Sequence, residues 1–119
     1  MPHFPRELEY SDKYYDSYYE YRHVILPKDL FKKLPSNRLL NETEWRAIGI
    51  QQSKGWSNYA IHKTEPHILL FRRPIGTDPE TGITPSDILS KIHEYEAKKN
   101  SWIEDNTTLA LWGKLNENN

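Results

Sequence analysis

The 119-residue chain contains no cysteine. Disulfide bridges, thiolate catalysis and cysteine-ligated zinc are excluded together. No apolar run approaches the roughly 18 residues of a membrane span, and Met1 to Tyr10 lack the apolar stretch of a secretory signal. Charge of one sign is missing too: 16 Lys+Arg face 17 Asp+Glu, for a net of −1. The chain as a whole is therefore no general binder of polyanions. The expectation from these absences is a soluble intracellular protein of one domain, or one domain with a tail. A chain this short builds only a small core.

Near-neutrality hides a split. Up to Pro74 there are twelve Lys+Arg and nine Asp+Glu; from Ile75 there are four and eight. A mildly basic body carries an acidic tail. Six of the eight tyrosines precede Arg22.

Patterning divides the chain further. Residues 1–8 read as a loose arm. Glu9 to Asp16 is short and tyrosine-rich, which suits an edge strand. Tyr18 to Leu26 alternates: Tyr19, Tyr21, His23 and Ile25 share one face, and Glu20, Arg22, Val24 and Leu26 the other. Pro27 ends that strand and suits the first position of a helix, with Asp29 to Leu34 following. Asn41 and Glu44 form a capping box for a second helix that carries Trp45 and Ile48, and Gly49 suits its left-handed end. Trp56 to His62 and Ile68 to Arg73 read as strands. The unbroken apolar run Ile68 to Phe71 predicts a central strand covered on both faces. Between them, His62, Lys63, Thr64, Glu65, Pro66 and His67 contain no hairpin dipeptide. That segment bends back or runs straight, and the straight form requires the last strand to pair with another chain.

In the tail, Thr84, Pro85 and Asp87 make a helix start, with Thr84 as cap and Pro85 at the first position. Ile88, Leu89, Ile92 and Tyr95 form an apolar stripe behind it, and Asn100 suits the end. Trp102, Ile103, Leu109, Leu111 and Trp112 are too apolar for a purely disordered segment and predict docking. Thr84-Pro85 is also the minimal dipeptide that a proline-directed kinase modifies.

Five residues of the body have the chemistry to hold a phosphate monoester. Arg22 and Arg73 supply forked donors, Lys13 a point charge, Ser53 a hydroxyl and Trp56 a wall. Sequence alone does not bring them together. His23, His62 and His67 have no metal-ligand spacing. Neither a metal nor any other cofactor is expected. His62 with Glu65 invites an acid–base reading, but no nucleophile or glycine-rich phosphate loop accompanies them, so no enzyme is expected. The early tyrosines offer stacking platforms for single-stranded nucleic acid. That is the alternative function, weakened by the small positive excess.

Tyr19 to Lys28, Glu44 to Arg46, Gly49 to Trp56 and Glu65 to Pro74 resemble, in order and spacing, the CKS family, the regulatory subunits of cyclin-dependent kinases. The likeness runs from about Glu9 to Pro74. It implies an α+β fold with a four-stranded antiparallel sheet and two short helices in residues 9–74. Residues 75–119 are an acidic extension with a helix at about 85–99. It implies a non-catalytic adaptor in cell-cycle control, in nucleus and cytoplasm, with a cyclin-dependent kinase and phosphothreonine-proline sites as partners. The family's phosphate-binding positions fall on Lys13, Arg22, Ser53, Trp56 and Arg73. Its kinase-binding positions fall on Tyr14, His23, Tyr59, Ile61, His62, Glu65 and Leu70. Its hinge falls on His62, Lys63, Thr64, Glu65, Pro66 and His67, and implies a homodimer by strand exchange as an alternative to the closed monomer. Thr64 replaces the first hinge proline, and Ala60 a larger apolar residue. Thr43 and Ala47 depart from the pattern of the animal members that assist a ubiquitin ligase, so that activity is not carried over.

Overall fold

The computed structural model describes residues 4–35 and 37–99. Seven elements precede the C-terminal helix: β1 (Glu9–Tyr10), β2 (Tyr14–Tyr15), β3 (Tyr19–Ile25), α1 (Lys28–Lys32), α2 (Glu42–Ala47), β4 (Ser57–Ile61) and β5 (Ile68–Pro74). The helix α3 spans 86–99. The chain divides into two units, Met1–Pro85 and Ser86–Asn119.

The fold is the expected α+β antiparallel sheet, in the order β1-β3-β5-β4, with β2 also on β3. Five strands thus occupy four positions. The edge expected as one strand over Glu9 to Asp16 is broken in two. Tyr10 faces Val24 and Tyr14 faces Tyr21, so the edge takes one more residue than β3 over the same stretch. The extra residue is a bulge, which bends an edge and re-aims its side chains. Ser11 spans it: its N–H donates to His23 O and its Oγ accepts from His23 N, both at 2.9 Å.

β3 and β5 pair over seven residues, from Tyr19 opposite Pro74 to Ile25 opposite Ile68. β5 is central, but not covered on both faces as its apolar run predicts. Leu69, Phe71 and Arg73 are buried, while Ile68, Leu70 and Arg72 are half-buried. Trp45 of α2 packs on the Phe71 face, while the other face carries exposed and half-buried tyrosine rings.

Val24, Leu26, Leu40, Trp45, Ile50, Trp56, Leu69 and Phe71 form the core. α2 is fastened there through Trp45, whose ring meets Phe71 edge-on at 5.4 Å. Burying a side chain of this size contributes about 3 kcal/mol. The helix starts where its sequence says. Glu44 N donates to Asn41 Oδ1 at 2.9 Å, and Asn41 N to Glu44 Oε1 at 3.0 Å. Pro27 is the N-cap of α1 rather than its first residue, and the helix ends two residues before Leu34.

The segment 62–67 bends back within its own chain. β4 and β5 pair antiparallel, Ile61 opposite Leu69, with Tyr59 bulged out of register. Glu65 N donates to His62 Nδ1 at 3.1 Å, and Ile68 N to Glu65 O at 2.9 Å. Along α3, Ile92 is buried while Leu89 and Tyr95 are exposed. The helix starts one residue later than expected, and the Thr84 hydroxyl is engaged with Thr77. Asn100, Trp102, Ile103, Leu109, Leu111 and Trp112 lie outside the described residues.

Candidate functional site

Alternation along β3 and β5 sends two sets of polar side chains to opposite faces of one sheet. Glu20 and Arg22 point to the core face with Val24, and Arg73 joins them from β5 with Phe71. Adjacent residues part company: Arg72 lies on the other face.

Lys13, Arg22, Ser53, Trp56 and Arg73 come together at the end of the core. The Trp56 indole is the centrepiece. The Arg22 guanidinium stands 5.6 Å from the ring centroid and that of Arg73 4.7 Å. Arg22 is also 5.5 Å from the Tyr10 ring. Arg73 is buried and oriented by three bonds: Nε to Glu20 Oε2 at 2.7 Å, Nη1 to Ser53 Oγ at 2.6 Å and Nη1 to Lys54 O at 3.1 Å. Lys13 Nζ approaches the other Glu20 oxygen at 3.8 Å. Lys13 and Arg73 share the Glu20 carboxylate and Arg22 flanks the same indole as Arg73, so three cations set against one carboxylate leave an excess of two positive charges.

The polar atoms are not all satisfied by the protein. Arg22 Nε, Trp56 Nε1 and both polar atoms of the Gln52 side chain are buried without a hydrogen-bond partner. Buried donors normally find partners, so such a group calls for an explanation. Donors beside an excess of positive charge have the properties of a receptor for a small, highly charged anion. Trp56 is a core residue as well as the expected wall: its ring is in the core at 4% exposure, and it is flanked by both guanidinium groups. Sequence reasoning missed Glu20, Gln52 and Tyr10. The alternation of β3 puts Glu20 on the face of Arg22 and was the available signal for it; Gln52 and Tyr10 have no comparable signal.

The opposite face is aromatic. Tyr14 stacks on Tyr21 at 5.4 Å, Tyr21 meets Tyr59 edge-on at 5.6 Å, and Arg72 lies 4.2 Å from the Tyr19 ring and 5.0 Å from that of Tyr59. The tyrosine rings therefore engage one another and Arg72. His23 faces Leu70 across the β3–β5 ladder and lies 6.3 Å from the Tyr14 ring. Burial holds the His23 imidazole below its ordinary pKa, and His62 adds to the effect. Burial raises the Tyr21 hydroxyl, and its bond to Asp16 raises it further. Ile61 is exposed at the end of β4, and His62 and Glu65 are joined in the turn. Tyr14, His23, Tyr59 and Leu70 form one continuous surface; Ile61, His62 and Glu65 stand at the turn. Tyr19, Tyr21, Asp16 and Arg72 were missed here, although alternation assigns Tyr19 and Tyr21 to the His23 face.

Ala60 has a separate setting. It lines a cavity of about 330 Å³ with Phe31, Leu34, Leu40 and Leu69, which includes none of the cradle residues. Among the described residues, no three His, Asp or Glu side chains converge to hold a metal.

Residues 8–75 match the sequence profile of the family described as "Cyclin-dependent kinase regulatory subunit". The chain belongs to this family. It is 61% identical over 74 residues to Cyclin-dependent kinases regulatory subunit 2 of Arabidopsis thaliana, covering 62% of this chain and 89% of that protein. It is 64% identical over 69 residues to the Cyclin-dependent kinases regulatory subunit of Drosophila melanogaster, covering 58% and 93% respectively. A probable cyclin-dependent kinases regulatory subunit of Physarum polycephalum is 62% identical over 72 residues, covering 60% and 86%. The match to the regulatory-subunit family takes in both faces of the sheet and stops at Ile75.

Proposed function

We propose that this chain is a non-catalytic adaptor of the cell-division machinery, working in nucleus and cytoplasm. It binds a cyclin-dependent kinase through the aromatic face and turn, by Tyr14, His23, Tyr59, Ile61, His62, Glu65 and Leu70. It docks phosphothreonine-proline segments in the cradle of Lys13, Arg22, Ser53, Trp56 and Arg73. The observation that carries this reading is the pair of guanidinium groups on one indole, with Arg22 Nε and Trp56 Nε1 buried and unpartnered.

The chemistry follows from charge and geometry. A phosphothreonine brings about −1.5 to −2 charges and three acceptor oxygens, which matches the cradle's two excess positive charges. The indole walls the site and lowers the local dielectric, so each charge-assisted bond gains strength. No bond is broken. A substrate held by one phosphate sees the tethered kinase at an effective concentration on the order of mM, so a priming phosphate promotes further phosphorylation of the same molecule. Glutamate, with one charge and a planar group, is a poor substitute.

Titration calorimetry with one peptide in three forms tests the reading. The phosphothreonine-proline form binds, and the unphosphorylated and Glu-proline forms do not. Equal binding of all three, or a salt-sensitive preference for single-stranded oligonucleotide, would refute it.

A further inference from the structure

Residues beyond the family match are built onto the shoulder of the cradle. After Pro74 the chain doubles back on itself: Asp78 N donates to Ile83 O at 2.9 Å and Gly82 N to Asp78 O at 2.7 Å. The loop rests on the turn that orients Arg73. Lys54 N donates to Pro79 O at 2.9 Å, while Lys54 O accepts from Arg73 Nη1 at 3.1 Å. Glycine at 55, with φ +100°, allows the close approach: a Cβ there would lie 2.6 Å from Thr77 Cγ2 and 3.6 Å from Gly82 Cα.

One hydroxyl pair closes the loop. Buried Thr77 donates its Oγ1 proton to Pro74 O at 2.7 Å, and Thr84 Oγ1 lies 2.7 Å from Thr77 Oγ1. A threonine hydroxyl has a single proton. Thr77 has spent its own, so Thr84 is the donor to Thr77. The contact therefore depends on the Thr84 hydroxyl proton, the atom that phosphorylation removes. Thr84 is only half-buried, sits in a stretch without regular structure and precedes exposed Pro85. The proline favours extended backbone at Thr84, the form in which a kinase cleft takes a substrate segment.

We propose that Thr84 is a phosphoacceptor for a proline-directed kinase, and that the resulting phosphothreonine-proline then occupies the cradle of its own chain and shuts out phosphorylated partners. In the modification, Thr84 Oγ1 forms a bond to the γ-phosphorus of ATP. The bond to the bridging oxygen breaks, ADP leaves, and the hydroxyl proton passes to the kinase's base. The product has no proton for Thr77 and sets about −1.5 to −2 charges against a buried hydroxyl, so the loop's closing contact is lost. The ten residues 74–83 separate Thr84 from Arg73. They reach at most about 35 Å and hold the phosphate at an effective concentration on the order of mM. This inference rests on the reading of the cradle given above.

The test uses the full chain, phosphorylated with a purified cyclin-dependent kinase and ATP, with Thr84→Ala as the mass-spectrometric control. A labelled phosphothreonine-proline peptide is titrated into unmodified protein, phosphorylated protein and Thr84→Val. Phosphorylation at Thr84 is expected to weaken the peptide about tenfold. Thr84→Val, which loses the loop contact but gains no phosphate, should bind like unmodified protein. Absence of phosphate on Thr84, unchanged affinity after stoichiometric modification, or an equal loss in Thr84→Val each overturns the proposal. Failure of unmodified protein to bind the peptide sinks the reading of the cradle itself, and is distinct from all three.

Discussion

Arg22 and Arg73 flank the same ring, yet their removal should have very unequal consequences for the fold. Arg22 interacts with the Trp56 and Tyr10 rings at 5.6 and 5.5 Å, and its Nε has no partner. Arg22→Ala loses two cation–π contacts of about 0.5–1 kcal/mol each and removes an unsatisfied buried donor, which offsets part of that. Net stability should change by no more than about 1 kcal/mol. Arg73 holds Glu20, Ser53 and the Lys54 carbonyl together, and Glu20 is 8% exposed. Arg73→Ala strands a buried carboxylate whose remaining cation, Lys13, is 3.8 Å away. Breaking a buried pair from one side costs about 3–5 kcal/mol; we take about 3 because Lys13 remains. In a body of this size that lowers the melting midpoint by roughly 12–24 °C. Both variants should lose phosphopeptide affinity. A hydrogen bond to a charged group contributes about 1.5–3 kcal/mol, so Arg22→Ala binds about 10- to 150-fold more weakly. Calorimetry of unfolding and peptide titration on the two variants, with Glu20→Gln/Arg73→Ala as a third, separate the effects. The double variant should recover at least about 1 kcal/mol of stability and no binding. A wild-type melting point for Arg73→Ala, or a further loss on adding Glu20→Gln, would refute the reasoning.

Three smaller perturbations follow. Asn41→Ala removes one half of the capping box and should cost about 1 kcal/mol, with Asn41→Asp close to wild type; equal melting points for Ala and wild type would deny the cap its role. Gly55→Ala meets Thr77 Cγ2 at 2.6 Å from a φ of +100°. It should destabilise by about 1–3 kcal/mol and weaken phosphopeptide binding; Ala at exposed Gly76, where φ is +94°, carries the backbone strain but should leave phosphopeptide binding unchanged. His23 has a folded pKa below 6.5. The unfolded chain binds the extra proton first, so His23's contribution is complete above about pH 6.5 and is lost as pH falls. Melting points from pH 7.5 to 5 should drop less steeply in His23→Gln than in wild type, and parallel slopes would count against a half-buried imidazole held neutral by its surroundings.

How much of this was legible in the sequence depends on how local each signal is. The α2 cap needs only Asn41 and Glu44, and was read directly. The strands over Tyr18 to Leu26 and Ile68 to Arg73 were legible from alternation and apolar content, but neither signal says that the two pair with each other over seven residues. The broken edge was not legible, because a bulge depends on how Ser11 and His23 share hydrogen bonds across the sheet. Half-exposure of one β5 face was not legible either: Ile68 and Leu70 are apolar whether a helix or a layer of tyrosines lies over them. The cradle's cations were nominated by chemistry, but only the family likeness grouped them, since Lys13 and Arg73 are sixty residues apart. Glu20, the carboxylate that holds them, was placed on the correct face and passed over, because an acidic residue looks wrong in an anion site until the geometry shows it orienting an arginine. The turn at 62–67 was left open for a physical reason. The same backbone bonds satisfy β5 whichever chain supplies β4, and local sequence does not distinguish the two.

Alternation also decides whether the two faces influence each other. The proposed adaptor function requires kinase and phosphosite to be held at once. Successive side chains of a strand leave on opposite sides, so Arg22 and His23, or Arg72 and Arg73, are covalent neighbours that project into separate surroundings. Between the two layers lies a sheet with ordinary ladder pairing over the whole of β3 and β5. Both faces are built on the same β3–β5 ladder in a single register, and a ligand that leaves that ladder unchanged has no differential affinity to transmit through it. The coupling free energy should therefore be near zero, and kinase affinity should change by less than about twofold when phosphopeptide is saturating. Titrating the kinase into the chain with and without saturating phosphopeptide measures it. A tenfold change in either direction would mean that the sheet itself shifts on ligation, and the adaptor would then be a switch rather than a passive clamp.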